Sequence, residues 1–368
     1  MLEAARSVVP VVLEHADACE AKRTLTEPVV AALQSADLFR LLVPAVYGGP
    51  ECDPVTYLAV IEEVAAADGA AGWCSNIAST TSSMSWFLPE PWAREIYSTP
   101  RATGGAFAPN GKAARVEGGW RVTGRWSWGS GTQHSGWVNG GAMTDTGEFH
   151  LAYFDLADVH FIDNWYSTGL RGTGSCDFEV TDAFVPDGRS VLPGVSAPVP
   201  DAPLARFPNF SLLAAGVAST TLGIARHAIA AFTELAEAKT PQFARSKLAD
   251  YAPAQLALAR AEAGLSSARA FLRDEVALAW ETVLAGSRVP VAQRARIRLA
   301  CTNAAEATSA ATGLVHRAAG GSAVYQTSPL ERCFRDINTA TAHLLISDRN
   351  LVTYARLRLG LEADTSML

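Results

Sequence analysis

Apolar residues recur at helical spacing through the first hundred positions. After Asp53-Pro54, the residues Tyr57, Leu58, Ile61, Val64 and Ala65 share one helical face. An Asp accepts hydrogen bonds from the free N–H groups of a first turn and Pro fits that turn, so a helix starts here. Thr26 ahead of Glu27-Pro28 predicts a similar start for a helix over Val29 to Leu38. Between the two, Pro44, Gly48, Gly49 and Pro50 force an irregular loop. The texture changes near Gly104, where short alternating runs are broken by Gly, Asn and Asp. Trp120, Val122 and Gly124 belong to one run, and Phe149, Leu151 and Tyr153 to another. Glu117-Gly118-Gly119-Trp120 and Asp145-Thr146-Gly147-Glu148 read as hairpin turns, because Gly accepts the positive φ such turns require. Pro193 to Pro203, with four prolines, reads as a linker. Beyond it the period is helical again, with helices predicted near 209–238, 253–286, 290–319 and 329–359.

Composition narrows the class. The chain has 368 residues, 49% hydrophobic and 18% charged; an average soluble protein is roughly 25% charged. That supplies a large core and excludes a disordered polyelectrolyte. A net charge of −7 gives no footprint for nucleic acid or an anionic membrane. The most apolar stretch, Ser211 to Phe232, contains Arg226 and His227, so no membrane span is expected. Six cysteines without a CxxC pair and seven dispersed histidines offer no ligand spacing, so no metal site is expected. No basic and apolar leader opens the chain, and a cytoplasmic protein with buried, reduced thiols is expected.

Common catalytic signatures are missing: there is no GxSxG, no GxxxxGK[ST] and no HExxH. Gly129-Ser130-Gly131 and Gly172-Thr173-Gly174 lie in the β region, the wrong context for a dinucleotide fold. Three segments are distinctive together. The first is Gly124-Arg125-Trp126-Ser127-Trp128-Gly129-Ser130-Gly131 with His134 and Trp137. The second runs from Trp165 through Arg171 to Ser175 and on to Asp182-Ala183-Phe184-Val185-Pro186. The third is Ala319-Gly320-Gly321 with Glu331-Arg332-Cys333-Phe334-Arg335-Asp336, and His343 seven residues later.

This set, in this order, resembles the acyl-CoA dehydrogenase superfamily, and within it the flavin-dependent oxygenase components of two-component monooxygenases. The resemblance implies an α+β fold. It would have an N-terminal helical domain (1–103), a central β-barrel-like domain (104–203) and a C-terminal four-helix bundle (204–368). It implies reduced FMN or FAD supplied by a separate reductase, reaction with O2 through a C4a-hydroperoxide, and hydroxylation of an aromatic or other small organic substrate. It also implies a homotetramer. One absence separates the branches: a dehydrogenase needs a carboxylate base. The places where the family carries it read Thr341-Ala342-His343-Leu344-Leu345 and Phe210 to Gly216, without Asp or Glu. A dehydrogenase with a displaced base, or a flavin-binding homologue without chemistry, are the competing readings.

The resemblance also assigns residues. His343, in a segment read as helical, is a catalytic group near the flavin or a core histidine. His134 is catalytic or a wall residue. Trp126 and Ser130 are flavin contacts, since indole stacks on flat rings and a hydroxyl reaches ring heteroatoms. Trp165, Arg171, Thr173 and Ser175 line the flavin or substrate side. Arg245 reaches a flavin phosphate from a neighbouring subunit or is a solvated helix arginine. Gly320 and Gly321 let backbone approach the cofactor or only join two helices. The arginines between Arg288 and Arg298 read most simply as a helix face. The helix after Trp73, Ala78 to Ser85, would give a small, polar pocket wall. Trp120, Trp126, Trp128, Trp137 and Trp165 crowd into the β region, marking it as the place for a flat ring.

Overall fold

Asp53 opens its helix as its chemistry requires. In the computed structural model, which describes all 368 residues, its carboxylate accepts the N–H groups of Val55 and Thr56 at 2.9 Å. The N-terminal layer is α1 (Leu2–Lys22), α2 (Glu27–Ser35), α3 (Pro54–Ala67), α4 (Gly69–Ser82) and α5 (Glu90–Tyr97). Helix α2 stops at Ser35, short of the Leu38 that apolar spacing suggested, and Thr26 caps nothing with its side chain. Asp68 ends α3 and caps α4 by accepting the Ala71 N–H at 2.8 Å.

The central sheet has seven strands: β1 (Ala102–Val116), β2 (Gly119–Trp126), β3 (Ser135–Thr144), β4 (Phe149–Phe154), β5 (His160–Ile162), β6 (Asp177–Pro186) and β7 (Ser190–Val191). Their order is β5-β6-β2-β1-β3-β4-β7, with β1 and β3 parallel and the other pairs antiparallel. Gly118 at φ 73° and Gly147 at φ 84° make the two expected hairpin turns. Strands β4 and β6, four places apart in this order, touch, so the sheet curls around its own apolar filling. Trp126 lies in that filling between Phe154 and Phe178.

The C-terminal bundle contains α6 (Asn209–Ala238), α7 (Ala252–Leu284), α8 (Val291–Ala319), α9 (Pro329–Ala340) and α10 (Arg349–Arg358). Helix α6 is long and apolar enough to cross a membrane, but 89% of its most apolar window is buried within the protein. The single helix expected over 329–359 is broken. Chain direction changes between Ala340 and Arg349, where His343 is extended (φ −71°, ψ 131°) and Leu344–Ile346 forms a short turn. Thr339 and Thr341 donate their hydroxyls back to Arg335 O and Ile337 O, a competition that weakens a helix end.

The arginines of α8 do not share one environment. Arg296 pairs with buried Glu275, and Arg298 is only 2% exposed. All six cysteines are free and buried.

Candidate functional site

Two loops of the sheet domain are zipped together. The β2–β3 loop bends through left-handed residues at Trp128 (φ 61°) and Gly131 (φ 71°). Gly129 N–H donates to Cys176 O and Gly131 N–H to Thr173 O, each at 3.0 Å. Helix α9 fixes the second loop: Arg335 donates to Thr168 O at 2.7 Å, and Asp336 accepts the Leu170 N–H at 2.6 Å. A side chain at Gly169 would collide with Arg335 backbone, its Cβ falling 2.3 Å from Arg335 O, so only glycine lets the segments meet. Burial beside Asp68 pushes the Asp336 carboxyl up to about 7.

The zipped loops present hydroxyls to α4. Ser130 Oγ lies 2.6 Å from Ser175 Oγ, which lies 2.6 Å from Thr173 Oγ1. Trp73 Nε1–H donates to Ser130 Oγ at 3.0 Å. On its other side Trp73 meets His343 edge to face, with ring centroids 5.6 Å apart. Four separated regions thus converge, bringing together Trp73, Ser130, Ser175 and His343.

The chemistry of His343 follows from its backbone. Its Nδ1 accepts the Leu345 N–H at 3.3 Å, which leaves the proton of the neutral ring on Nε2. Burial, then the nearby Arg298 charge, pushes its pKa down to about 4. At neutral pH it is therefore an uncharged N–H donor packed against Trp73.

The other expected residues divide sharply. Trp126 cannot stack on a ligand: it is fully buried in the barrel, and Nε1–H is shared between Gly141 O and Ala108 O at 2.9 and 3.1 Å. The available indole of that segment is Trp128, 75% exposed. His134 stacks on Phe39 at 5.4 Å, outside the hydroxyl network. Both its ring nitrogens are shielded without a partner, and burial pushes its pKa down to about 4. Trp165 stabilises its own loop by donating to Leu170 O at 3.2 Å. Arg171, half-buried in that loop, keeps its Nε shielded and unpartnered.

Arg245, Gly320 and Gly321 lie elsewhere. Arg245 is exposed on the loop after α6 rather than on a helix. Lys239 Nζ in that loop donates to Ala319 O at 2.8 Å, which places the loop beside Gly320. A Cβ added at Gly320 or Gly321 would meet nothing. At the other end, Arg298 of α8 bonds Phe210 O in the first turn of α6, so these two helices run parallel. Twenty-one residues of α8 separate Arg298 from Ala319, roughly 30 Å at 1.5 Å per residue. The candidate cofactor residues therefore form two groups at opposite ends of the bundle.

The acyl-CoA dehydrogenase N-terminal domain profile matches residues 1–88 and the C-terminal domain profile residues 215–348, together more than half of the chain. The chain belongs to the acyl-CoA dehydrogenase superfamily. Among its relatives, an indole-3-acetate monooxygenase of Pseudomonas putida is 33% identical over 340 residues, covering 90% of this chain and 86% of the relative. The crystal structure of 3-HSA hydroxylase from Rhodococcus sp. RHA1 superposes with a TM-score of 0.92 at 26% identity, over 100% of this chain and 98% of that one. XiaF from Streptomyces sp., solved with FADH2 and glycerol, has the same fold (TM-score 0.92, 23% identity, 98% and 95% covered). Within the superfamily the chain is a flavin-dependent monooxygenase, an oxidoreductase.

The residues present fit a flavin. Ser130 offers a buried hydroxyl, Trp128 a free aromatic face, and Arg171 an orphaned guanidinium N–H beside the zipped loops. Trp73 has no role legible in the sequence, Trp128 counts there only among the crowded indoles, and Arg298 only as part of a helix face. Only the fold brings Trp73 against Ser130.

Proposed function

We propose that this protein is the oxygenase half of a two-component pair, taking reduced FMN or FAD from a separate reductase and hydroxylating a small aromatic substrate of the indole or phenol class. The substrate class is suggested by relatives named for indole-3-acetate and for p-hydroxyphenylacetate. The observation that carries the site assignment is the junction of Ser130, Trp73 and a neutral His343 bearing its proton on Nε2.

When bound, reduced flavin would supply the electrons with which one atom of O2 enters the substrate and the other leaves as water. The chain's own residues do the rest. Ser130, backed by Ser175 and Thr173, donates or accepts a hydrogen bond at the ring as its rotor turns. Trp128 would cover one flat side of the ring, and Arg171 would meet its negative charge. His343 holds a proton at Nε2 where oxygen or a substrate hydroxyl accepts it, and its depressed pKa keeps the ring from carrying a second. Trp73 and the small residues of α4 exclude water, which guards oxygen transfer against loss as free peroxide. Arg245, Gly320 and Gly321 of a second copy hold the phosphate end, in a homotetramer. The buried free thiols suit a reducing cytoplasmic setting.

The test is anaerobic mixing of protein with reduced FAD or reduced FMN and indole-3-acetate, followed by isotopically heavy O2. Product carrying one heavy oxygen is expected, with little free hydrogen peroxide. Peroxide alone, at the rate seen without protein and for phenols as well, overturns the reading. Anaerobic reduction of oxidised flavin by an acyl-CoA would replace it with dehydrogenation.

A further inference from the structure

The buried glutamates and arginines of this protein are paired, with one exception. Glu62, 2% exposed, meets Arg269 and Arg273 at 2.8 and 3.0 Å, and Glu275 meets Arg296. Arg298 is as deeply buried and has no carboxylate partner. Its Nε and Nη2 donate to Asn350 Oδ1 at 3.3 and 3.0 Å, and its Nη1 donates to Phe210 O at 3.1 Å. Holding a guanidinium among neutral acceptors is costly, so the charge and its contacts call for a reason.

The contacts lead to His343. Asn350 Nδ2 donates to Leu345 O at 2.9 Å and to Thr302 Oγ1 at 3.0 Å, while Thr302 Oγ1 donates to Ser347 O at 3.2 Å. Leu345 in turn gives its N–H to His343 Nδ1. The break between α9 and α10 is thus held at Leu345 and Ser347 by a network rooted in one arginine of α8.

We propose that Arg298 and Asn350 are the positioning pair for His343. They fix the 343–347 segment so that Nδ1 always accepts and Nε2 always carries the proton, and the uncompensated guanidinium opposes a second proton on the ring. The depressed basicity of His343, to which Arg298 contributes after burial, agrees with this. The surroundings support it from every side. Helix α8 also brings Glu306, the segment itself brings Asp348 and Arg349, and the C-terminal stretch brings Asp364, which lines a cavity with Arg298 and Leu344; all four are exposed and screened by water. Trp73 of α4, Ser130 and Phe210 of α6 carry no charge. The proposal rests on His343 facing the oxygen-transfer site.

The test reads His343 directly, in resting protein without flavin. Nitrogen NMR of histidine-labelled protein, assigned with His343→Gln, reports both tautomer and titration. In the native protein a single Nε2–H tautomer is expected that resists protonation well below the ordinary midpoint of about 6.5. Arg298→Met should raise that midpoint, since a nearby like charge disfavours the protonated ring. Arg298→Lys should keep the charge effect but mix the tautomers. Asn350→Ser should mix the tautomers without moving the midpoint. In each folded variant coupled hydroxylation should fall about tenfold at unchanged KM, a fraction of the ~100-fold that a misplacement of about 1 Å costs. Folded variants with native tautomer and midpoint overturn the proposal. The NMR result stands even if the native protein hydroxylates nothing, in which case the oxygenase reading fails separately.

Discussion

The two ends of the C-terminal bundle are built on opposite terms. At the His343 end, Trp73, Ser130, Ser175 and His343 are shielded, and a chain of short hydrogen bonds links the serines to the indole. At the Gly320 end, Gly320 and Gly321 face open space, Tyr325 is 67% exposed and Phe243, at φ 65°, is 97% exposed. A large apolar ring held in a strained backbone conformation and left in water is poorly placed in an isolated chain. The difference teaches where preorganisation resides: one end is finished within the chain, and the other has the form of half an interface.

The sharpest way to break that contrast is to empty the scaffold behind the finished end. Trp126→Ala should cost about 3–5 kcal/mol, the range for deleting a fully buried large aromatic side chain. Its neighbour two residues on behaves differently: Trp128→Ala should leave stability within about 0.5 kcal/mol while weakening flavin retention. Denaturant unfolding with flavin titration checks both. Equal stabilities for the two variants would contradict the placement of Trp126.

A smaller effect comes from pH. His343 and His134 both have folded pKa values pushed down to about 4. As pH falls through the ordinary value of about 6.5, the unfolded chain takes protons that the folded chain refuses, so stability drops until the folded pKa is reached. Between pH 7 and 5.5 each should withdraw about 1 kcal/mol. Asp336, pushed up to about 7, works in the other sense, because the folded state binds its proton first and gains as pH falls. Comparing His134→Gln with the native chain separates the terms: the variant should lose less stability on acidification, and an unchanged slope would show that His134 is not buried neutral.

Much of this was legible in the chain itself. The helix–sheet–helix order, the Asp53 cap and both glycine hairpins follow from local chemistry. The place of Trp126 was legible too: Trp120, Val122, Gly124 and Trp126 alternate along β2, and that period of two carries Trp126 inward and leaves Trp128 past the strand end. The break at His343 was hidden, because Ala342, Leu344, Leu345 and Ile346 read as helix. What bends the chain there is Asn350, reaching back to Leu345 from a later helix. Nothing in the spacing of Trp73, Ser130 and His343 signals that they meet, since tertiary packing alone joins them.

The contrast between the two ends is most directly tested by subunit complementation. His343→Gln disables the finished end, and Arg245→Glu disables the open end without touching a buried group. Each variant alone should show little coupled hydroxylation, while Arg245→Glu keeps native stability. Co-assembled in mixed oligomers, they should recover activity, because some sites then pair an intact His343 from one chain with an intact Arg245 from another. Mixed oligomers as inactive as the separate variants would show that both ends serve one chain's own site, and would contradict a cofactor site shared between copies.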